Sequence, residues 1–201
     1  MLEIYTIGYS GFSVEEFLRV LIDKKITCLI DVRSSPYSKF YSQFDEDSIK
    51  KILYENKIIY RNYKKEFGAR QTNRVYYSSD GYLDFDKFTN STEFKDGCDK
   101  LLSGIEKGYT FCLMCAEKDP ISCHRSIMIG KALKKIGFNV KHIMPENIII
   151  NQQELENKLL NTYFSDRFQT SLFGENKSDD ELIQEAYLKK NREIGFRKDD
   201  E

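Results

Sequence analysis

The chain has 201 residues, 40% of them hydrophobic, with 13 tyrosines, 14 phenylalanines and no tryptophan, enough for one domain of ordinary size with a substantial core. A formal net charge of −1 at pH 7 without long basic runs gives no electrostatic support to a general nucleic-acid or membrane-surface binder, and leaves only a local positive cleft. No run of about eighteen apolar residues suggests a membrane span, and five unevenly spread cysteines without a signal-like apolar start point to reduced thiols in a cytoplasmic setting.

In chain order, short apolar runs alternate with amphipathic ones. Residues 2–7 read as a first strand, closed by the turn Gly8-Tyr-Ser-Gly11. Ser13 and Glu16 make a capping box for a helix whose buried stripe is Phe17, Val20 and Leu21. Residues 27–32 form a nearly continuous apolar run, the mark of a strand covered on both faces. Residues 45–55 read as a helix with Ile49, Ile52 and Leu53 inward, followed by a short strand at 58–60.

The pattern lapses over 63–84 into a polar, aromatic and basic loop, long enough to suggest a movable flap with Arg70 reaching inward. A helix over 92–107 and a strand over 109–114 follow, then an amphipathic helix over 124–136, a strand over 139–143 and a last helix over 151–164. From 171 to 201 the chain reads as a charged, mobile tail after a single domain over 1–170. The strand–helix alternation implies an α/β domain with a mostly parallel sheet and helices on both faces.

The dodecapeptide Cys115-Ala-Glu-Lys-Asp-Pro-Ile-Ser-Cys-His-Arg-Ser126 runs from a strand end through a polar loop to a helix start. In such a sheet the ligand crevice lies beyond the carboxyl ends of the strands, and a helix N-terminus attracts anions. Thr6, Gly8 and Ser10 on one strand end, Asp31 and Arg33 on a second and Cys115 and Glu117 on a third are expected to converge there. For each residue a plain structural role competes with the functional one: Cys115 as a small buried hydrophobe, Arg125 as a partner of Asp119, and Asp31 with Arg33 as a rim salt bridge.

Thr6-Ile-Gly-Tyr-Ser10, Leu29-Ile-Asp-Val-Arg33 with Pro36 and Ser38, Phe67-Gly68, and Cys115-Ala-Glu117 with Pro120 and Cys123-His-Arg125 together resemble the domain of unknown function 488 family, over about residues 2–144. The resemblance implies a Rossmann-like three-layer domain with a shared polar site, and brings no established reaction. The chain departs from the family pattern at Tyr9, where a histidine is common, and at Ala69, where a second glycine is common.

Several chemistries suit these residues. Cys115, Glu117, Cys123, His124 and Arg125 are the candidate catalytic set. Thr6, Gly8, Ser10, Asp31, Arg33, Ser38, Gly68, Arg70 and Ser126 are the candidate ligand-binding set. Glu117 suits general acid–base work, while Arg33, Arg70 and Arg125 suit phosphate or carboxylate, and Tyr63, Tyr76 and Tyr77 suit stacking on a base. The expected activity is an enzyme acting on a phosphate-bearing small molecule or nucleotide, with no cofactor assigned. A nucleic-acid partner finds no support in the net charge, and the oligomeric state is open.

The alternative from another class is a non-catalytic module that senses such a ligand or docks a partner. Cysteine-dependent sulfur or phosphoryl transfer ranks lower, because the cysteine-phosphatase loop leaves five residues between Cys and Arg, whereas Cys115 to Arg125 leaves nine and Cys123 to Arg125 one. Cys112, Cys115, Cys123 and His124 supply zinc-type ligands, but zinc is set aside because Cys112 and Cys115, three apart on a strand, point to opposite faces and Leu113-Met114 between them is not the turn a knuckle requires. Cys28, Cys98 and Cys112 are expected in the core.

Overall fold

A computed structural model describes residues 2–165 and 177–198. Its strands are β1 (Leu2–Gly8), β2 (Cys28–Asp31), β3 (Ile59–Asn62), β4 (Phe111–Cys115), β5 (Phe138–Ile143) and β6 (Ile149–Asn151). They lie in one sheet in the order β3-β2-β4-β1-β5-β6, parallel except for β6, which pairs antiparallel with β5. The mostly parallel sheet expected from the alternation of elements is therefore present, with β6 as an addition.

Strand parity divides the interior into two cores, one on each face of the sheet. Along β4, Phe111, Leu113 and Cys115 enter one core, and Cys112 and Met114 enter the other. The first core is covered by α5 (Thr92–Glu106) through Phe94, Cys98 and Leu101, and by α7 (Gln152–Tyr163) through Leu155, Leu159 and Leu160. The second is covered by α1 (Val14–Asp23) and α2 (Glu46–Glu55), whose Phe17, Val20, Leu21, Ile49 and Leu53 face the sheet. Helices on both faces make this a three-layer Rossmann-like α/β fold. The Ser13–Glu16 capping box that starts α1 forms with both of its hydrogen bonds.

Three stretches differ from the sequence expectation. The helix expected over 124–136 opens as a π turn, Arg125–Gly130, before α6 (Lys131–Lys135). The Lys131 amide donates to the Ser126 carbonyl five residues back, and that oxygen also accepts from Gln152 Nε2 at 3.1 Å. Gly130 permits this approach, since a Cβ there would lie 2.4 Å from Gln152 Oε1.

The segment 63–84 is anchored. It contains α3 (Lys64–Phe67), whose Phe67 is buried. The Tyr76 hydroxyl donates to Glu93 at 2.8 Å, and Lys198 Nζ donates to the Thr72 carbonyl at 2.9 Å. The Arg70 guanidinium lies 4.7 Å from the centre of the Phe196 ring rather than in the crevice. These anchors replace the expected free flap with a fixed excursion.

The third correction concerns the expected mobile tail. Ser178 and Glu181 form a capping box, and α8 (Asp179–Ile194) buries Ile183, Ala186, Tyr187 and Asn191 against the first core. α4 (Phe85–Thr89) precedes α5, and Asn191 ties α8 to its start by accepting from the Phe85 amide at 2.9 Å and donating to the Leu83 carbonyl at 2.8 Å. Residues 171–176 and 199–201 of that expected tail lie outside the described residues. Among the described residues, no helix is long and apolar enough to cross a membrane.

Candidate functional site

β2, β4 and β1 are neighbours, so their carboxyl ends place Asp31, Cys115 and Gly8 along one rim. Gly8 pairs with Cys115 in register, and a Cβ on Gly8 would lie 1.8 Å from the Glu117 carbonyl oxygen and 2.9 Å from Arg125 Nη1. Only a glycine lets the loop after β4 fold back onto the end of β1 here. The Ser10 amide then donates to the Ala116 carbonyl at 3.1 Å. A 3-10 turn, Pro120–Ser122, capped by the Asp119 carboxylate, returns the chain to Cys123, where the helical stretch begins.

This path gathers four reactive side chains. Cys115 Sγ donates to Glu117 Oε2 at 2.9 Å, Cys123 Sγ lies 2.9 Å from the same oxygen, and His124 Nδ1 lies 3.6 Å from the first sulfur and 3.9 Å from the second. His124 Nε2 is 3.1 Å from the Val32 carbonyl, which can only accept, so the proton sits on Nε2 and Nδ1 faces the sulfurs. The Arg125 amide donates to Cys123 Sγ at 3.4 Å. Cys115, Cys123 and His124 are buried, whereas Glu117 belongs to an exposed residue whose carboxylate turns inward.

The electrostatics follow from this crowding. Burial pushes the Cys115 thiol well above its ordinary range, helped by its Cys123 and Glu117 neighbours. For Cys123 burial acts in the same direction, but the hydrogen bond from Cys115, the Arg125 cation and His124 outweigh it and hold its thiol well down. Burial also lowers His124, yet the Cys123 contact reverses that and raises it. Loss of water raises the Glu117 carboxyl. The remaining thiols behave as core groups: burial pushes Cys28 and Cys98 up to about 11 and Cys112 higher still.

The candidate ligand-binding residues are engaged by the protein itself. Arg33 Nη2 meets Asp31 Oδ2 at 2.6 Å and the Phe44 carbonyl at 2.9 Å, and Tyr60 donates to the same Asp31 oxygen at 2.7 Å. Asp31 and Arg33 are thus a closed internal pair, 0% and 4% exposed. Tyr9, the departure from the family pattern, stacks on Phe44 at 4.7 Å with the Arg33 guanidinium 5.1 Å from its ring centre. Thr6 Oγ1 meets His142 Nδ1 at 2.8 Å, and Ser126 Oγ donates to the Pro120 and Cys123 carbonyls. Ser38 Oγ accepts from the Phe40 and Tyr41 amides and shapes a turn, and Gly68 packs against the Lys64 carbonyl and Ser34.

Arg125, a candidate catalytic group facing the crevice, is 0% exposed. Its Nη1 donates to the Glu117 carbonyl at 2.5 Å and its Nη2 to the Lys118 carbonyl at 3.1 Å. It is a clamp that holds the loop, and the expected anion cradle of guanidinium groups is not assembled.

Sequence reasoning passed over two groups. The Val32 carbonyl orients His124, and no side-chain pattern announces a main-chain acceptor. His142 links Thr6 to Gln152 Oε1, 2.8 Å from its Nε2, and burial lowers its pKa to about 4. Its signal was available: the imidazole falls at the position that follows Phe138 and Val140 in the strand's period of two, on the buried side.

Cys115 Sγ, Glu117 Oε, Cys123 Sγ and His124 Nδ1 all lie within 4.8 Å of one another, a donor set that a metal ion takes. Cys112 lies in the opposite core from Cys115, as strand parity implies, and Glu117 takes its place in a set with Cys115, Cys123 and His124. No curated protein and no solved structure matches the chain. A family model, the domain of unknown function DUF488, matches residues 13–131, which takes in the whole Cys115–Ser126 loop and leaves the Thr6–Ser10 motif outside. With more than half of its length matched, including the loop that builds this cluster, the chain belongs to the DUF488 family.

Proposed function

We propose that this protein is an enzyme whose reacting centre is the Cys115, Glu117, Cys123 and His124 cluster, with Glu117 as the group that meets substrate. One observation carries this reading. Four groups able to exchange protons gather at the carboxyl rim, three closed off from water and the fourth, on an exposed residue, hydrogen-bonded to both thiols. A carboxylate in that position is suited to accept or return a proton at the mouth of the site. The cluster needs reduced thiols, in keeping with a cytoplasmic setting. Attack by either sulfur on a substrate is the weaker reading, since Cys115 and Cys123 are 2% and 1% exposed.

The substrate class we propose is a small anionic molecule, a phosphate ester or nucleotide among them. Lys118, exposed and next to Glu117 in the chain, is the cation we assign to meet such an anion, because Arg33 and Arg125 are turned inward. A thermal-shift panel of nucleotides, sugar phosphates and their uncharged counterparts tests this on the wild type and on Glu117→Gln, with mass spectrometry of each mixture. A binder of the native state raises the melting temperature. The expected result is a shift from a phosphorylated compound and its conversion by the wild type but not by the variant. Binding without conversion makes the protein a sensing module, and conversion that survives in Glu117→Gln removes the cluster from the chemistry.

A further inference from the structure

We propose that the same cluster is a binding site for one thiophilic divalent ion of the zinc class. Its three fixed ligands are Cys115 Sγ, Cys123 Sγ and His124 Nδ1, and Glu117 is a displaceable fourth. The inference shares its location and the gathering of the four groups with the proposed function, and adds the spacing and orientation of His124 and the Arg125 amide contact.

The first observation is donor chemistry. Two sulfurs, one imidazole nitrogen and one carboxylate oxygen within 4.8 Å of one another form a set that hard ions such as magnesium and calcium do not select. The second is spacing. Bonds of about 2.3 Å to sulfur and 2.0–2.1 Å to nitrogen hold those two ligand atoms about 3.6 Å apart in a tetrahedron. His124 Nδ1 lies 3.6 Å from Cys115 Sγ and 3.9 Å from Cys123 Sγ, so the imidazole nitrogen already stands close to tetrahedral ligand spacing from both sulfurs.

The third observation is orientation. A metal-binding imidazole normally donates its other ring N–H to a carbonyl or carboxylate, which fixes the tautomer and aims the lone pair. His124 Nε2 faces the Val32 carbonyl at 3.1 Å in that arrangement. The Arg125 amide donating to Cys123 Sγ is likewise the kind of N–H contact that stabilises a thiolate ligand.

Only Glu117 must move. Its Oε2 lies 2.9 Å from both sulfurs, closer than two ligands on one ion sit, and the carboxylate belongs to the exposed member of the set. Its withdrawal by under about 1 Å opens the centre, and further withdrawal frees a position facing solvent. Three protein ligands and one exchangeable position are the pattern of catalytic rather than structural zinc. Two thiolates on a dication also account for the closeness of two buried cysteines to a carboxylate better than three acidic groups sharing protons.

The test uses the full chain, stripped with chelator under reducing conditions and titrated with Zn²⁺ and with Co²⁺. The expected result is one equivalent of metal by native mass spectrometry, a rise in melting temperature with Zn²⁺, and thiolate-to-cobalt charge transfer with the d–d intensity of a tetrahedral ion. Cys115→Ser and Cys123→Ser should each weaken binding by more than about 100-fold, beyond the loss of a group that merely orients a ligand. Glu117→Gln should keep the charge-transfer band with weaker binding, and Cys98→Ala, outside the set of four donors, should bind like the wild type.

Folding of each variant is checked by circular dichroism. A folded wild type that takes up no stoichiometric metal, or cobalt bound without a thiolate band, overturns the proposal. Metal binding with no effect of Glu117→Gln on ligand conversion leaves the ion in place and removes the catalytic reading. Absent metal with conversion lost in Glu117→Gln does the reverse.

Discussion

Two loops leave adjacent strands at the same rim, and they use similar residues in opposite ways. After β2, Asp31 and Arg33 close on each other, with Tyr60 donating to Asp31 and Arg33 Nη2 to the Phe44 carbonyl, while Arg33 Nη1 is buried without a hydrogen-bond partner among the described residues. After β4, Arg125 holds main-chain carbonyls, which leaves the thiols, the imidazole and Glu117 to face one another. A rim position in a parallel sheet is therefore a place where a site can be built, and whether a charge is available there depends on what main-chain oxygens lie within its reach. Guanidinium groups with five donors are readily captured by carbonyls that would otherwise be buried unpaired.

The comparison makes Asp31→Ala the most damaging single change. It strands the Arg33 cation in a closed interior, and breaking a buried pair from one side costs about 3–5 kcal/mol. Urea denaturation followed by circular dichroism measures it. A loss under about 1 kcal/mol would mean that Arg33 turns to solvent, and the β2 loop would then be as open to ligands as the β4 loop. Arg125→Ala comes next, at about 3–4 kcal/mol, from lost charged hydrogen bonds and the cavity left by a fully buried side chain. A neutral effect would return Arg125 to the role of a crevice-facing anion ligand.

That reversal shows where the sequence stops being informative. The strand over 27–32 was legible because its apolar run is nearly continuous, and the sides taken by Cys112 and Cys115 were legible from strand parity. The four-residue cluster was legible as well, since all of its members lie in one short loop and its flanks. The direction of Arg125 was not, because its partners are the carbonyls of Glu117 and Lys118, and any residue type supplies those.

α8 was misread for a different reason. Ser-Asp-Asp-Glu looks like a solvated tail, yet Ser178 with Glu181 is a capping box, and Ile183, Ala186 and Tyr187 follow at helical spacing. Charge density hid a helix whose few buried side chains suffice to dock it. β6, three residues long and only partly buried, carries too few side chains to show a period.

The two histidines extend the comparison to pH. Burial between Thr6 and Gln152 holds the His142 pKa at about 4, below the usual 6.5, so the folded state keeps the neutral ring. Between those values the unfolded chain binds a proton that the folded chain does not. The stability His142 contributes is therefore complete above pH 6.5 and lost as pH falls towards 4, by roughly 3 kcal/mol in all at 1.36 kcal/mol per unit. His124 is shifted the other way by its Cys123 contact, so it does not share this loss. Denaturant melts of the wild type and His142→Gln at intervals from pH 7 to 4.5 isolate the difference, and parallel curves would assign the acid sensitivity to other groups.

Glu117→Gln should have the smallest effect on stability, and it separates the two loops most sharply. Asp31 accepts from a fixed cation and a tyrosine, whereas Glu117 accepts from two thiols on an exposed residue, and loss of water raises its carboxyl. A raised carboxyl means that the folded state disfavours the charged form, so the carboxylate gives the fold no support at neutral pH that a neutral amide would forfeit. Glutamine keeps a side-chain oxygen able to accept from Cys115 or Cys123. The expected change in unfolding free energy at pH 7 is within about 1 kcal/mol of zero, the range of surface substitutions. A loss as large as that of Asp31→Ala would show that Glu117 pins the loop as Asp31 pins Arg33, and the β4 loop would then be as closed and as structural as its neighbour.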